Sequence, residues 1–141
     1  KAWLTFLVLQ LAGGSLLAVA DREIEAKEVA LAWLTFIDAG DYGKALDQTD
    51  PVFRESITRK DWIDGLTQVR KPLGEVETRR LLRLFATTLL PDSPEGDYVV
   101  VNFRTEFTSR KDPVNEIIVV SANPETPPGS KPWRVIGYYF E

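Results

Sequence analysis

The sequence contains no cysteine and no histidine, and these two absences exclude more chemistry than any motif in it suggests. Without cysteine there is no thiol nucleophile and no disulfide; without histidine there is no imidazole general base and no serine–histidine pair. Most zinc sites are excluded as well, because zinc prefers sulfur and imidazole ligands. Any catalysis would therefore rely on carboxyl, hydroxyl, phenol, amino or guanidinium groups.

Long basic runs are also absent. The 141 residues carry 17 Lys and Arg against 21 Asp and Glu, a net charge of −4. This balance argues against nucleic acid as the main partner and against a polybasic membrane-surface patch. The carboxylates are scattered and show no EF-hand spacing. We therefore predict no metal site and no cofactor.

The first twenty residues are typical of a secretory signal peptide. A lysine precedes an apolar stretch, and Ala18-Val19-Ala20 matches a small-x-small cleavage pattern. We expect cleavage after Ala20, a periplasmic or secreted protein, and no stable membrane anchor in the mature chain. The alternatives are an uncleaved anchor or an N-terminal core helix. Residues 21–141 are expected to form a single α+β domain.

Helical patterns occupy the first half of the remaining chain. Apolar residues recur at the helical period before Gly40, which can end a helix because glycine readily adopts positive φ. Asp41 and Asp50 are placed to cap the next two helices. The predicted helices are 21–39, 42–47 and 51–55.

The chain changes from helix to strand between Thr58 and Arg83. Thr58 is placed to cap a fourth helix, and Lys71-Pro72 ends it because proline lacks an N–H and disfavours a helical residue before it. Arg70 is expected to bond the helix C-terminus or to pair with Glu75. The predicted buried stripe of this helix consists of Trp62, Ile63, Leu66 and Val69.

Four strand candidates follow, and short loops between them favour antiparallel pairing of neighbours. Helices ahead of a curved four-stranded antiparallel sheet would cover its apolar face and give a two-layer α+β domain. Alternation places Phe103 on one side of the second strand and Arg104 on the other. Applied to the first strand, it places Arg79 and Arg83 together. The predicted strands are 74–89, 98–109, 115–122 and 133–140.

Arg79, Arg104 and Glu106 are the predicted ligand-binding residues. With Arg83 and Asn102 they would form one polar surface on the sheet. Arginine forks match carboxylate or phosphate, so this surface could be an anion site. The alternative, which we favour from the sequence alone, is a solvated face of cross-strand charge pairs.

No catalytic residue is predicted. Tyr98, Glu106 and Glu116 could supply a general acid or base in a pocket, but solvent exposure is the expected state of such side chains. The run Gly137-Tyr138-Tyr139-Phe140 is expected to close the last strand with alternate rings in the core.

Several short motifs, taken in order, resemble a bacterial family known as domain of unknown function 4019. The resemblance spans about Ala30 to Phe140 and implies small exported proteins with a cone-like fold, similar to nuclear transport factor 2 or cystatin. It implies no activity. The motifs are Ala32-Trp33-Leu34 with Asp38-Ala39-Gly40-Asp41-Tyr42, Trp62…Arg70-x-Pro72-Leu73-Gly74…Arg79, Glu95-Gly96-Asp97-Tyr98-Val99-Val100, and Trp133-Arg134-Val135-Ile136-Gly137-Tyr138.

Three functional hypotheses follow. The leading one is a non-enzymatic exported domain that binds a small molecule or a protein partner. The alternative is a hydrolase, dehydratase or isomerase that uses carboxylate or tyrosine chemistry in the cone, and the third is a structural homodimer. A carboxylate with a raised pKa beside an enclosed cavity would favour the enzyme, and an exposed apolar patch on the sheet would favour a partner or dimer.

Overall fold

The computed structural model describes residues 11–141, with side chains from residue 21 onward. Residues 1–10 of the predicted signal peptide lie outside the described residues. Helices come first and strands second, as predicted. The elements are α1 (Leu11–Asp38), α2 (Tyr42–Asp47), α3 (Pro51–Glu55), α4 (Arg59–Arg70), a 3₁₀ turn (Lys71–Leu73), β1 (Val76–Thr87), β2 (Tyr98–Phe107), β3 (Val114–Ala122) and β4 (Trp133–Phe140).

The helix ends follow local capping chemistry with one exception. In the described residues α1 spans Leu11–Asp38 and so extends ahead of residue 21, and the predicted cleavage point lies inside this helix. Gly40 has a φ of 77° at the end of α1, a value that favours glycine. The Asp50 carboxylate accepts a hydrogen bond from the Val52 N–H at 2.9 Å and caps α3. The predicted cap at Asp41 is wrong, since its side chain makes no capping bond.

α4 begins as predicted but turns a different face inward. The Thr58 hydroxyl accepts a hydrogen bond from the Asp61 N–H at 3.1 Å. Trp62 and Leu66 are buried, as expected. Val69 was expected in the core but is 47% exposed, whereas Arg70 is 3% exposed. The buried stripe is displaced by one residue because Arg70 has an ionic partner inside the domain.

The four strands form an open antiparallel sheet in the order β1-β2-β3-β4. α1 packs on one face, which we call the inner face, and the opposite side is the outer face. Alternate residues of β2 and β3 point toward α1, as the alternation predicts. The core consists mainly of Ala26, Ala30, Trp33, Leu34, Ile37, Val99, Val101, Phe103, Ile118, Val120, Trp133 and Val135.

Two irregularities in β1 reverse its alternation. The pairing of β1 with β2 shifts between Val76 and Thr78 and again between Leu81 and Arg83. Each extra residue is a β-bulge, which turns the following side chains to the other face. Arg79 therefore lies on the inner face and Arg83 on the outer face. Their predicted common face is wrong for this reason.

Within residues 11–141, no helix has the combination of length and apolar composition needed to cross a membrane.

Candidate functional site

A group of charged and polar side chains lies on the inner face, beside the aromatic part of the core. It brings together α1, the end of α4 and strands β1 to β4. We call it the ionic cluster, and it consists of Asp38, Arg70, Arg79, Thr105, Glu116 and Tyr138.

Glu116 is the centre of the ionic cluster. It occupies an inward position of β3, between Val114 and Ile118, and its side chain is 0% exposed. One carboxylate oxygen, Oε1, accepts hydrogen bonds from Arg79 Nε at 2.9 Å and from the Thr105 hydroxyl at 2.6 Å. The other, Oε2, accepts one from the Tyr138 hydroxyl. Both oxygens of this buried carboxylate therefore accept hydrogen bonds from protein groups, which offset the cost of removing it from water.

Asp38 ends α1 and holds both arginines of the ionic cluster. Its Oδ1 accepts from Arg70 Nη2 at 2.7 Å and from Arg79 Nη2 at 2.9 Å. Its Oδ2 accepts from Arg79 Nη1 at 2.7 Å, which completes a two-pronged arginine–carboxylate pair. A carboxylate is unfavourable at a helix C-terminus because the helix dipole is negative there, so these pairs offset a local cost.

Arg70 joins the ionic cluster to the turn after α4. Its Nη1 donates to the Gly74 carbonyl oxygen at 3.1 Å, and its guanidinium lies 4.5 Å from the centre of the Phe107 ring. The expected bond near the helix C-terminus is therefore found. The expected pairing with Glu75 is wrong, since the salt bridge of Arg70 is with Asp38.

The pKa shifts in the ionic cluster all stabilise the protonation states that Asp38, Arg79 and Tyr138 have at neutral pH. Burial raises the pKa of Asp38, but hydrogen bonds and charges from Arg79 and Arg70 outweigh burial and lower it. Burial lowers the pKa of Arg79, and Asp38 and Glu116 more than compensate, so it rises. Burial, followed by the charge of Glu116, raises the pKa of Tyr138 well above its ordinary value. Two carboxylates thus face two guanidinium groups, and the phenol stays protonated.

The ionic cluster lies apart from the main cavities of the described structure. None of its six residues lines the four cavities of about 440, 800, 320 and 130 Å³. The pKa of Asp38 is lowered rather than raised. The arrangement is therefore suited to fixing the helices on the sheet rather than to proton transfer.

The structure separates the three predicted ligand-binding residues. Arg79 belongs to the ionic cluster, whereas Arg104 and Glu106 lie on the outer face of β2. Glu106 accepts a hydrogen bond from the Thr78 hydroxyl at 3.1 Å. Arg104 lies directly opposite Arg80 of β1. The expectation of cross-strand pairs of opposite charge is therefore wrong, because two like charges face each other.

The outer face combines arginines with apolar side chains. Arg80, Arg83 and Arg104 form no salt bridge within the described part of the chain. Tyr139 is 56% exposed, and its ring covers Gly137, where a Cβ atom would come within 2.7 Å of it. The neighbouring Tyr138 and Phe140 alternate to the other face, as predicted. We call this surface the outer-face patch, and it consists of Arg80, Arg83, Val100, Arg104, Ile117 and Tyr139.

Sequence reasoning missed the burial of two candidate acids. Glu116 and Tyr98 were expected to be exposed, but both are buried, and the Tyr98 hydroxyl donates to the Pro94 carbonyl oxygen at 2.5 Å. The period of two in β3 places Glu116 on the same face as Ile118 and was an available signal. The same period places Thr105 inside, between Phe103 and Phe107 of β2, whereas Asp38 had no comparable signal. Among the described residues, no group of three or more acidic side chains is arranged to hold a metal ion.

Comparison with known proteins gives one match. The family model described as "Protein of unknown function (DUF4019)" matches residues 29–138, which include all six residues of the ionic cluster. No curated protein and no solved structure matches significantly. The match covers well over half of the 141 residues. The chain therefore belongs to the DUF4019 family, a family of proteins of unknown function.

Proposed function

We propose that this protein is a non-enzymatic binding domain that recognises an acidic protein partner through the outer-face patch. The observation that carries the proposal is the pair Arg80 and Arg104, which face each other across β1 and β2 without a carboxylate partner in the described structure. Like charges directly opposite each other destabilise a sheet. A partner that supplies carboxylates would turn this repulsion into attraction.

The composition of the outer-face patch supports a protein partner over a small ion. Arginine and tyrosine are among the residues enriched in protein interfaces, where a polar rim surrounds a less polar centre. Here Ile117 and Tyr139 lie beside each other on β3 and β4, and Arg104 lies on the neighbouring strand β2. Arg83 lies on β1 at the level of Ile117, with one residue of β2 between them. The six residues of the patch include three arginines and no carboxylate, so a second copy of the patch would supply no opposite charge to them. The charge pattern therefore favours a different, acidic protein over a homodimer.

Catalysis by the ionic cluster receives no comparable support. Its carboxylates are neutralised by arginines, and none of the four cavities borders it. We therefore do not favour the hydrolase, dehydratase or isomerase hypothesis.

The test is binding of fluorescein-labelled peptides, one of Glu-Val-Ser repeats and one of Lys-Val-Ser repeats, measured by fluorescence anisotropy. We expect the acidic peptide alone to bind, and to bind less tightly as NaCl rises from about 10 mM to about 1 M, since the Debye length falls from about 30 Å to about 3 Å. Removing Arg80, Arg83 and Arg104 together should weaken binding about tenfold, because three exposed ion pairs contribute roughly 0.5 kcal/mol each.

The matched control is Arg110→Ala, which removes an exposed arginine in the β2–β3 turn. If the triple variant binds the acidic peptide as tightly as Arg110→Ala does, the outer-face patch is not the binding surface. Vesicles containing phosphatidylglycerol are a second probe. Binding to vesicles without binding to the acidic peptide would point to a lipid surface and overturn the proposal of a protein partner.

Export is a separate proposal, supported by the charged start, the apolar stretch and the small residues up to Ala20. We propose a bacterial exported protein whose mature chain begins at Asp21. The intact mass of the periplasmic protein tests this, and a mass that still includes residues 1–20 would refute it. The proposed likeness of the fold to nuclear transport factor 2 is testable by superposing an experimental structure of this chain on that fold.

A further inference from the structure

β1 lies at an edge of the sheet, and within residues 11–141 its only neighbouring strand is β2. In the same part of the chain, no backbone–backbone hydrogen bond joins β1 to any segment other than β2. We call the other side of β1 its free edge. In an antiparallel edge strand, every second residue directs its N–H and C=O groups away from the sheet. The free edge therefore presents backbone donors and acceptors to another chain.

The opposite edge of the sheet, β4, is partly covered. Thr49 forms a parallel bridge with Val135, and the Asp50 N–H donates to the Val135 carbonyl oxygen at 2.9 Å. Alternate residues of β4 are buried, whereas none of the twelve residues of β1 is buried. Of the two edges, β1 is therefore the one that is open to an added strand.

The part of β1 after its second bulge pairs regularly. Residues 83–87 pair one to one with residues 98–102 of β2, without a shift of register. Five residues are a common strand length, whereas a bulge interrupts the row of backbone groups on which pairing depends. The free edge of residues 83–87 is therefore the part of β1 best suited to pair with an extended segment of another chain.

The side chains of residues 83–87 specify the chemistry of an added strand. On the outer face, the Arg83 guanidinium lies 4.5 Å from the centre of the Phe85 ring and forms no salt bridge within the described part of the chain. On the inner face, Leu84 packs against the core and Ala86 is exposed. Alternate side chains of an added strand would lie beside a guanidinium on one face and beside apolar groups on the other.

We infer that the acidic partner binds as a fifth strand, through an extended segment in which carboxylate and apolar side chains alternate and which pairs with the free edge of residues 83–87. The inference rests on the proposed function, because it states how the acidic partner of the outer-face patch docks. In this mode of recognition, backbone hydrogen bonds supply affinity and alternate side chains supply specificity. A second copy of β1 matches less well, since β1 carries three arginines and a single carboxylate, Glu77.

The test is amide hydrogen exchange of the full ¹⁵N-labelled chain, measured by NMR with and without a peptide of four Glu-Val repeats. At a peptide concentration of about nine times Kd, about nine-tenths of the chain is bound. The amides of residues 83–87 that face away from β2 should then exchange about tenfold more slowly than in the free chain. The same peptide with a methyl group on every backbone nitrogen keeps its charges but has no backbone donors. It should bind about tenfold more weakly and protect none of these amides.

Arg83→Ala should weaken binding of the Glu-Val peptide about twofold to threefold, whereas the control Arg110→Ala should leave it unchanged. Equal affinity for the methylated and unmethylated peptides, without protection of residues 83–87, would refute strand addition and leave the outer-face patch as the binding surface. Failure of every acidic peptide to bind would refute the proposed function and this inference together. Protection that rises with the concentration of the chain alone would identify a second copy as the added strand and overturn the acidic partner.

Discussion

Replacing Arg79 with methionine tests whether the ionic cluster holds the helices on the sheet. Arg79 is 12% exposed and donates hydrogen bonds to two carboxylates, one of which, on Glu116, is 0% exposed. The substitution leaves the Glu116 carboxyl group buried and without a cation in contact. Breaking a buried ion pair in this way costs about 3–5 kcal/mol. Because domains are stable by only about 5–15 kcal/mol, this is a large fraction of the total.

The assay is equilibrium unfolding in urea at pH 7, followed by tryptophan fluorescence and far-UV circular dichroism. Arg80→Met is the matched control, since it removes the next arginine of the same strand from the exposed outer face, and it should change stability by less than about 0.5 kcal/mol. Adding Glu116→Gln to Arg79→Met should recover part of the loss, because the uncompensated buried charge disappears. The coupling in the double-mutant cycle should be about 1–3 kcal/mol. A loss below about 1 kcal/mol for Arg79→Met would refute the reasoning.

Three further predictions concern single residues. Asp38 has a lowered pKa in the folded state. Its contribution to the free energy of unfolding is therefore present above about pH 4 and is lost as the pH falls through the pKa of the folded state. Asp38→Asn should reduce the fall of the urea midpoint in acid. Tyr138 has a raised pKa in the folded state. Its contribution to the free energy of unfolding is therefore present below about pH 10 and is lost as the pH rises through the pKa of the folded state. Tyr138→Phe should remove this loss of stability at alkaline pH and lower the free energy of unfolding by about 1–3 kcal/mol at pH 7. Gly74 has a φ of 78°, and a Cβ there would lie 2.2 Å from Thr108 Oγ1, so Gly74→Ala should lower stability by more than about 1 kcal/mol. Gly65→Ala in open space on α4 should instead raise stability by about 0.5–1 kcal/mol, and equal effects in thermal unfolding would contradict the backbone argument.

Most element boundaries were predictable because they depend on local chemistry. Thr58 and Asp50 cap helices where their hydroxyl and carboxylate were expected to do so. The observed bounds of α2, α3 and β4 are the predicted ones, and those of the other strands differ by at most two residues at either end. Turn residues and alternation are properties of a few neighbouring residues, so a single sequence contains them.

The ionic cluster was not predictable in the same way, because its members meet only in three dimensions. Alternation was sufficient to place Glu116 inside, and the contrary expectation rested on the usual exposure of glutamate. The inward turn of Arg79 had no such signal. It depends on a bulge before that residue, and nothing in the composition of β1 specifies where an extra residue is inserted. Val69 and Arg70 exchanged their expected places because the partner of Arg70, Asp38, is on another helix.

The two bulges of β1 place arginines of this one strand on both faces of the sheet. The first bulge turns Arg79 inward, where it contacts Asp38 and Glu116 and so ties β1 to α1 and β3. The second turns Arg83 outward, to the same face as Arg80. Without the second bulge, alternation would place Arg83 on the same face as Arg79, and the outer-face patch would lose one of its three arginines. A buried ion pair adds little net stability compared with apolar packing, but it fixes geometry. We therefore propose that the ionic cluster, besides holding the helices on the sheet, fixes the register of β1 around Arg79.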